Sequence, residues 1–301
     1  MDMKRRILFF LLITLTSVRQ VKGQVLLNSS GTFNQHRFSA VVISETIVAT
    51  VATVGLEYLW YKKFPKSRFH FFNDDKEWMG MDKLGHATTA YNISAIQYNL
   101  MRWSGVNNNK SILIGGLTGL AYLTMIEVMD GFSSQWGFSP GDMGANVFGS
   151  AAFMSQQYVW REQRIQMRFS FHHSIYSQYN PAMLGKNFFE RLLKDYNGQS
   201  YWFSFNISSF MNNKGFPKGI NADIGLGADG MIGAAGNPKE VEGKEIPSFT
   251  RQRKLFFAID PAWSKKGQIP FSSWFNIFRI PFPAVEWKTK EDKLKFLPLY
   301  F

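Results

Sequence analysis

Three sets of polar residues stand at helical spacing inside otherwise apolar stretches: Asp82 with Lys83 and His86, Glu127 with Asp130, and Asp142 with Asn146. Asp82 and His86 are four apart, Glu127 and Asp130 three apart, and Asp142 and Asn146 four apart, so each of these pairs shares one helix face. An unpaired charge in such a setting costs roughly several kcal/mol, so the three sets are predicted to meet in one enclosed cluster. Two chemistries suit those residue types. His86 could serve as base or nucleophile, with Lys83 neutralising phosphate and the acids orienting the imidazole. Alternatively, His86 with Asp82, Glu127, Asp130 and Asp142 offers an oxygen-rich sphere for a divalent ion, against which the Lys83 ammonium counts by repulsion. Taken singly, each residue also has an ordinary reading. Asp82 suits a helix N-cap, Asp142 a capping box, Lys83 a solvated surface and His86 a satisfied core position; a purely structural ion network stands beside the catalytic one. A neighbouring acid is expected to raise the histidine pKa. No His-Glu-x-x-His, P-loop, Gly-x-Ser-x-Gly or dinucleotide fingerprint is present, and no cofactor is assigned.

The elements that must position these residues are helices. Phe38 to Tyr61 reads as an apolar helix carrying Glu45 and Glu57. A second runs from Asp82 to Trp103, a third from Ser111 to Met129, and a fourth from Ser139-Pro140 to Trp160. Glu127 and Asp130 close the third helix, where the macrodipole disfavours anions, and Lys83 opens the second, where it disfavours cations. Each would relieve the other. Short connections make these helices neighbours.

After Trp160 the period changes to two. Ile165 to Phe171, Tyr201 to Ile207 and Ile220 to Ala228 alternate as strands do, with a short helix over Pro181 to Asp195 between the first two. Further strands are expected near Arg253 to Asp260 and at the C-terminus, where Pro298 interrupts the pattern, and Gly230 to Pro247 reads as an exposed loop. The fold class is α+β: an N-terminal four-helix core followed by an antiparallel β-rich half. The preferred reading of that half is a soluble sheet on the helices with its polar face in water. The alternative is a small outer-membrane barrel with a helical plug, which about five visible strands undersupply.

Residues 1–23 read as an export signal, with Lys4, Arg5 and Arg6 before an apolar run from Ile7 to Leu15. Residues 24–35 are then a linker, 36–160 the helical region and 161–301 the β-rich region. The chain has no cysteine, so neither disulfides nor a lipobox acylation can serve it. A net charge of +12 on an exported chain points to an anionic lipid or glycan surface rather than nucleic acid. The 29 Phe and 9 Trp fit either a large core or a membrane interface. The apolar helices are assigned to a protein core on account of Glu45 and Glu57.

The Asp82-Lys83-x-x-His86 start of the second helix, the Glu127-x-x-Asp130 pair and the Phe138-Ser139-x-x-Asp142-x-x-x-Asn146-x-x-Gly149 stretch resemble the YfiM-type periplasmic lipoproteins of unknown function, and more distantly the VanZ-like membrane proteins. The resemblance spans roughly Trp78 to Ser150. It implies an exported, periplasmic protein, although this chain lacks the acylated cysteine. Gly85-His86 with Ser139-Pro140-Gly141-Asp142 also looks like fragments of the type 2 phosphatidic acid phosphatases. Their second histidine has no counterpart in the helical part, since His172 and His173 lie on a strand, so no mechanism is carried over. The sequence thus predicts an exported cell-envelope protein, structural or interaction-based, partnered by a membrane surface or envelope component. A hydrolase of a phosphorylated lipid or envelope glycan is the alternative.

Overall fold

The computed structural model describes residues 30–59, 61–211, 219–261, 276–279 and 281–300, without the side chains of Leu59 and Lys63. The export-signal reading of residues 1–23, residues 24–29 of the linker and Phe301 lie outside the described residues. The chain is α+β. Among the described residues four long helices, α1 (Gln35–Leu59), α2 (Met81–Trp103), α3 (Asn108–Gly131) and α4 (Pro140–Val159), precede an antiparallel sheet.

Local chemistry sets the helix starts. Asn107 caps α3 by accepting the Lys110 amide at 2.9 Å, and Ser139 caps α4 by accepting the Asp142 amide at 3.1 Å, with Pro140 at the first helical position. Asp82 is not the N-cap of α2. That place is held by Gly80, and Asp82 lies inside the first turn. The chain enters α2 through three successive left-handed residues, Trp78 (φ 45°), Met79 (φ 56°) and Gly80 (φ 70°), a conformation that costs non-glycine residues energy. It is held by the Trp78 amide donating to the Ala234 carbonyl at 2.9 Å and by Trp78 and Met79 packing against Met81, Tyr201 and Met231.

Helix α2 lies between α3 and α4 on one side and the sheet on the other. Close approach requires glycine at several places, two of them central to α2 packing. A Cβ on Gly119 of α3 would collide with the Ser94 hydroxyl and crowd the Ala90 carbonyl, and one on Gly149 of α4 would collide with the Ala87 carbonyl. Ala87, Tyr91, Phe153 and Met167 then fill the space between helices and sheet.

The sheet contains β1 (Ile165–Phe171), β2 (Gln199–Asn206), β3 (Ile220–Asp229), β6 (Gln252–Pro261), β7 (Phe282–Lys288) and β8 (Lys293–Tyr300), in that spatial order, while the two-residue strands β4 (Glu240–Val241) and β5 (Lys244–Glu245) pair within the Gly230–Pro247 loop. The expected helix over Pro181 to Asp195 is two short ones, Pro181–Leu184 and Phe188–Lys194, separated at Gly185 with φ 98°. Ile207 leaves the second strand and opens a one-turn helix, Ile207–Phe210. Pro298 does not end the last strand. It sits on the sheet edge, where the pairing steps from Phe282↔Tyr300 to Ala284↔Leu297, and this bulge absorbs the missing N–H.

The expectation of a polar sheet face in water is overturned. The row that crosses Arg168, Trp202 and Phe256 is buried, together with Asp223, Asp260, Lys254, Arg279 and Glu286. Arg168 bonds Asp260 at 2.8 Å, Asn221 donates to Asp260 at 3.1 Å, and the Arg279 guanidinium stacks 4.1 Å from the Trp202 ring with its Nε 3.6 Å from Asp223. The sheet curls far enough for the segment at Ile277–Arg279 to bond β1, Phe169 donating to Ile277 and accepting from Arg279, both at 2.8 Å. The opposite face is apolar. Register places Met167, Phe203, Ile224, Phe257, Val285 and Phe296 in one line across all six strands. Helix α2 covers its β1–β2 end, while Ile224, Phe257 and Phe296 are exposed.

Candidate functional site

The cluster forms where α2 and α4 begin and α3 ends. Lys83 Nζ, from the first turn of α2, donates to Asp74 Oδ1 at 2.7 Å, Asp82 Oδ2 at 3.3 Å and Asp142 Oδ1 at 3.3 Å, with Asp75 Oδ1 at 3.7 Å. It is only 20% exposed, so the solvated-surface reading of Lys83 does not hold. Gly141 makes room for it: a Cβ there would collide with the Asp75 carboxylate and press on Lys83 Cε.

The start of α4 explains how Asp142 comes to face Lys83. In a reciprocal capping box the acid three residues after the cap accepts the amide of the capping residue. Here Glu127 reaches across from α3 and takes the Ser139 amide with Oε2 at 3.0 Å. Asp142 is thereby released from capping. Ser139 Oγ in turn donates to Asp74 at 2.6 Å while accepting the Asp142 amide.

His86 stands one turn further along α2. Its Nδ1 lies 3.0 Å from Asn146 Oδ1, and an amide oxygen can only accept, so Nδ1 carries the proton and Nε2 presents a lone pair. Nε2 points at Glu127 Oε1, 3.5 Å away. Glu127 is 1% exposed, and its Oε1 has no hydrogen-bond partner among the described residues; Asp82 Oδ1 is similarly buried and unpartnered there. These are the sequence-predicted residues Asp82, Lys83, His86, Glu127, Asp142 and Asn146, all brought together. Asp130 turns aside, accepting the Tyr61 hydroxyl at 2.8 Å.

Electrostatics correct one expectation. The His86 pKa falls to about 4 rather than rising, because enclosure disfavours the imidazolium and the Lys83 charge adds to this, against the Asn146 bond. Burial opposes ionisation of Asp74 too, but bonds from protonated Asp142, Lys83 and Ser139 carry it down to about 2. Asp142 goes the other way, to about 9, through burial, its bond to Asp74 and the charges of Asp82 and Asp74. Burial pushes Asp82 up to about 6 in spite of Lys83. Lys83 is raised: the carboxylates overcome its desolvation.

Asp74 and Asp75 are the members that sequence reasoning missed, along with Tyr61, which holds Asp130 aside. Tyr61 opens a short 3₁₀ turn after α1, and the two acids lie on the irregular stretch that follows, whose residues 65–72 run alongside the loop after α3. His70 donates to Gly131 at 2.9 Å and Phe72 to Phe138 at 2.9 Å. The only local signal was the Asn73-Asp74-Asp75 triplet, where Asn73 Oδ1 accepts the Asp75 amide at 3.0 Å.

Among the described residues, two groups each have their donor atoms within 4.8 Å of one another: His86, Glu127 and Asp142, and Asp74, Asp82 and Asp142. The second surrounds Lys83 Nζ.

Residues 70–157 match a family described as "Predicted periplasmic lipoprotein (DUF2279)". The matched stretch contains Asp74 through Asn146 and stops short of the sheet, and it supports an exported, periplasmic cell-envelope protein from a family of unknown function. No curated protein and no solved structure matches the chain.

Proposed function

We propose that this chain is an envelope protein seated in a lipid bilayer, with α1 and α3 crossing the hydrocarbon and the ionic cluster placed at the boundary, in a structural or interaction-based role. The observation that carries the reading is the apolar exterior. Ile43, Val48, Val51 and Val54 of α1 and Leu113, Leu117 and Val128 of α3 are all exposed, and so are Ile259, Leu294 and Phe296 on the open end of the sheet. Both helices are long and apolar enough to span by length and composition, and we place them in lipid rather than in the protein core expected from Glu45 and Glu57. At 24 residues α3 extends about 36 Å, more than the ~30 Å hydrocarbon thickness.

The end at which α1 and α3 finish has the composition of an interface. Lys62, Lys63, Lys66 and Arg68 follow α1 at once. Phe69, Phe71, Phe132 and Phe138 form linked ring contacts of 5.3 to 5.8 Å there. Aromatic rings favour the headgroup level, and basic residues favour anionic lipid. Membrane attachment through helices also accords with a chain that has no cysteine to acylate.

The hydrolase alternative meets a charge problem. Five carboxyl groups, Asp74, Asp75, Asp82, Glu127 and Asp142, gather around one lysine, and three of them already bond it. A phosphate would meet net negative charge at this place, whereas phosphate sites present unspent cations. Membrane fractions settle the seating. Resistance of the full chain to high salt and to alkaline carbonate is expected, with release only by detergent; release by carbonate removes the proposal.

A further inference from the structure

We infer that His86, Glu127 and Asp142 form a binding site for a divalent transition-metal ion, with Asn146 as the residue that orients the histidine. Acidic residues alone would not carry this, and three further observations do. Glu127 Oε1 is deeply buried without a hydrogen-bond partner among the described residues, a costly state for a carboxylate oxygen unless a cation faces it. It is aimed at a histidine nitrogen that is itself unprotonated, because Asn146 accepts from the other ring nitrogen. Fixing of the tautomer through the far nitrogen is how metal-binding histidines are held.

The separation of the two donors is the third observation. At 3.5 Å, Nε2 and Oε1 stand too far apart for a good hydrogen bond. Two ligands each ~2.0–2.1 Å from one tetrahedral ion lie ~3.4 Å apart, which is this distance. One imidazole with two carboxylates is a donor set for Zn²⁺ or Mn²⁺ rather than for a soft ion.

Lys83 does not oppose the ion here. It is already enclosed by Asp74, Asp82 and Asp142, so the cluster resolves into two adjoining cation positions that share Asp142, one of them filled by an ammonium. Lys83 bonds Asp142 through Oδ1, and an ion would take the other oxygen, displacing the proton that Asp142 otherwise shares with Asp74. The ligands come from α2, α3 and α4, so an ion would join the three helix ends. This inference is independent of the bilayer seating.

The test uses the untagged full chain in detergent, titrated with Zn²⁺ and with Mn²⁺ against a competing chelator, and with Co²⁺ followed by its ligand-field absorption. One equivalent of metal per chain, a raised Tm and a tetrahedral or five-coordinate Co²⁺ spectrum are expected. Glu127→Gln, which keeps the acceptor for the Ser139 amide, and His86→Gln should each weaken binding by at least 100-fold; Asn146→Ala should weaken it about 10- to 100-fold. Asp130→Asn, outside the triad, should leave it unchanged. Absence of stoichiometric binding by the folded wild-type chain overturns the inference. So does Zn²⁺ or Mn²⁺ affinity that Glu127→Gln leaves intact while circular dichroism shows both proteins folded.

Discussion

Two regions of this molecule bury charge, and they do so in opposite ways. Inside the curled sheet the buried charges balance: Arg168, Lys254 and Arg279 stand against Asp223, Asp260 and Glu286, with Arg168 2.8 Å from Asp260 and Arg279 3.6 Å from Asp223. At the helix ends five carboxyl groups surround one lysine and a neutral histidine. A balanced set of charges calls for no added cation and shapes the sheet interior. An acid-rich cluster must either hold protons, as Asp142 does, or take up a cation, and that asymmetry separates a structural network from a binding centre.

The largest effect should come from breaking a matched pair. Arg168→Ala leaves Asp260 buried without its cation, and we expect a loss of about 3–5 kcal/mol in detergent-solubilised thermal unfolding. The double change Arg168→Met with Asp260→Leu should recover most of it. Recovery would establish that the sheet pair is scaffold; no recovery would give it a role the geometry does not explain.

The next test addresses pH. Burial, then the Lys254 charge, holds His172 down at about 4, beside the Tyr300 ring at 5.4 Å. A histidine whose folded pKa lies below its unfolded value of ~6.5 stabilises fully above that value. Its contribution is lost as pH falls from ~6.5 through about 4, because the unfolded chain takes the proton first. Relative to His172→Gln, the wild type should therefore lose up to about 3 kcal/mol over that interval and show no difference in slope above pH 7. An equal slope in both proteins would place the acid sensitivity elsewhere.

Packing against α2 gives a smaller effect. Gly149→Ala should cost about 1–3 kcal/mol, since its Cβ meets the Ala87 carbonyl, whereas Gly144→Ala on the same helix has open space and should be neutral or slightly stabilising. Equal Tm shifts for the two variants would mean that α4 does not approach α2 as closely as described. Ser139→Ala should cost least, about 1 kcal/mol, by removing the α4 cap. A loss several times larger would show that the hydroxyl matters more through Asp74 than through capping.

Much of this was legible in the chain, and its limits have physical causes. Helical spacing put Asp82 near His86 and Asp142 near Asn146 on single faces, and short connections brought those faces together. Asp74 was invisible because irregular segments have no period, and its place depends on backbone pairing between residues 65–72 and the loop after α3. The role of Glu127 was hidden for a related reason: which acid accepts the Ser139 amide is decided across helices. A two-residue period separates the two faces of a strand without saying which is covered, so Arg168, Asp223 and Asp260 were assigned to water when the sheet curls around them. Asp130 shared the spacing of Glu127, yet Tyr61 draws it away.

The lipid seating can be tested directly because the chain has no native cysteine. Single cysteines at Val48 on α1, Leu117 on α3 and Glu242 in the β4–β5 turn report accessibility to a membrane-impermeant maleimide in intact membranes and again after detergent. The account predicts that Val48→Cys and Leu117→Cys stay unlabelled until detergent is added, while Glu242→Cys reacts in water-exposed orientation or on simple permeabilisation of the envelope. Prompt labelling of Val48→Cys and Leu117→Cys in intact membranes, at the rate seen for Glu242→Cys, would contradict it.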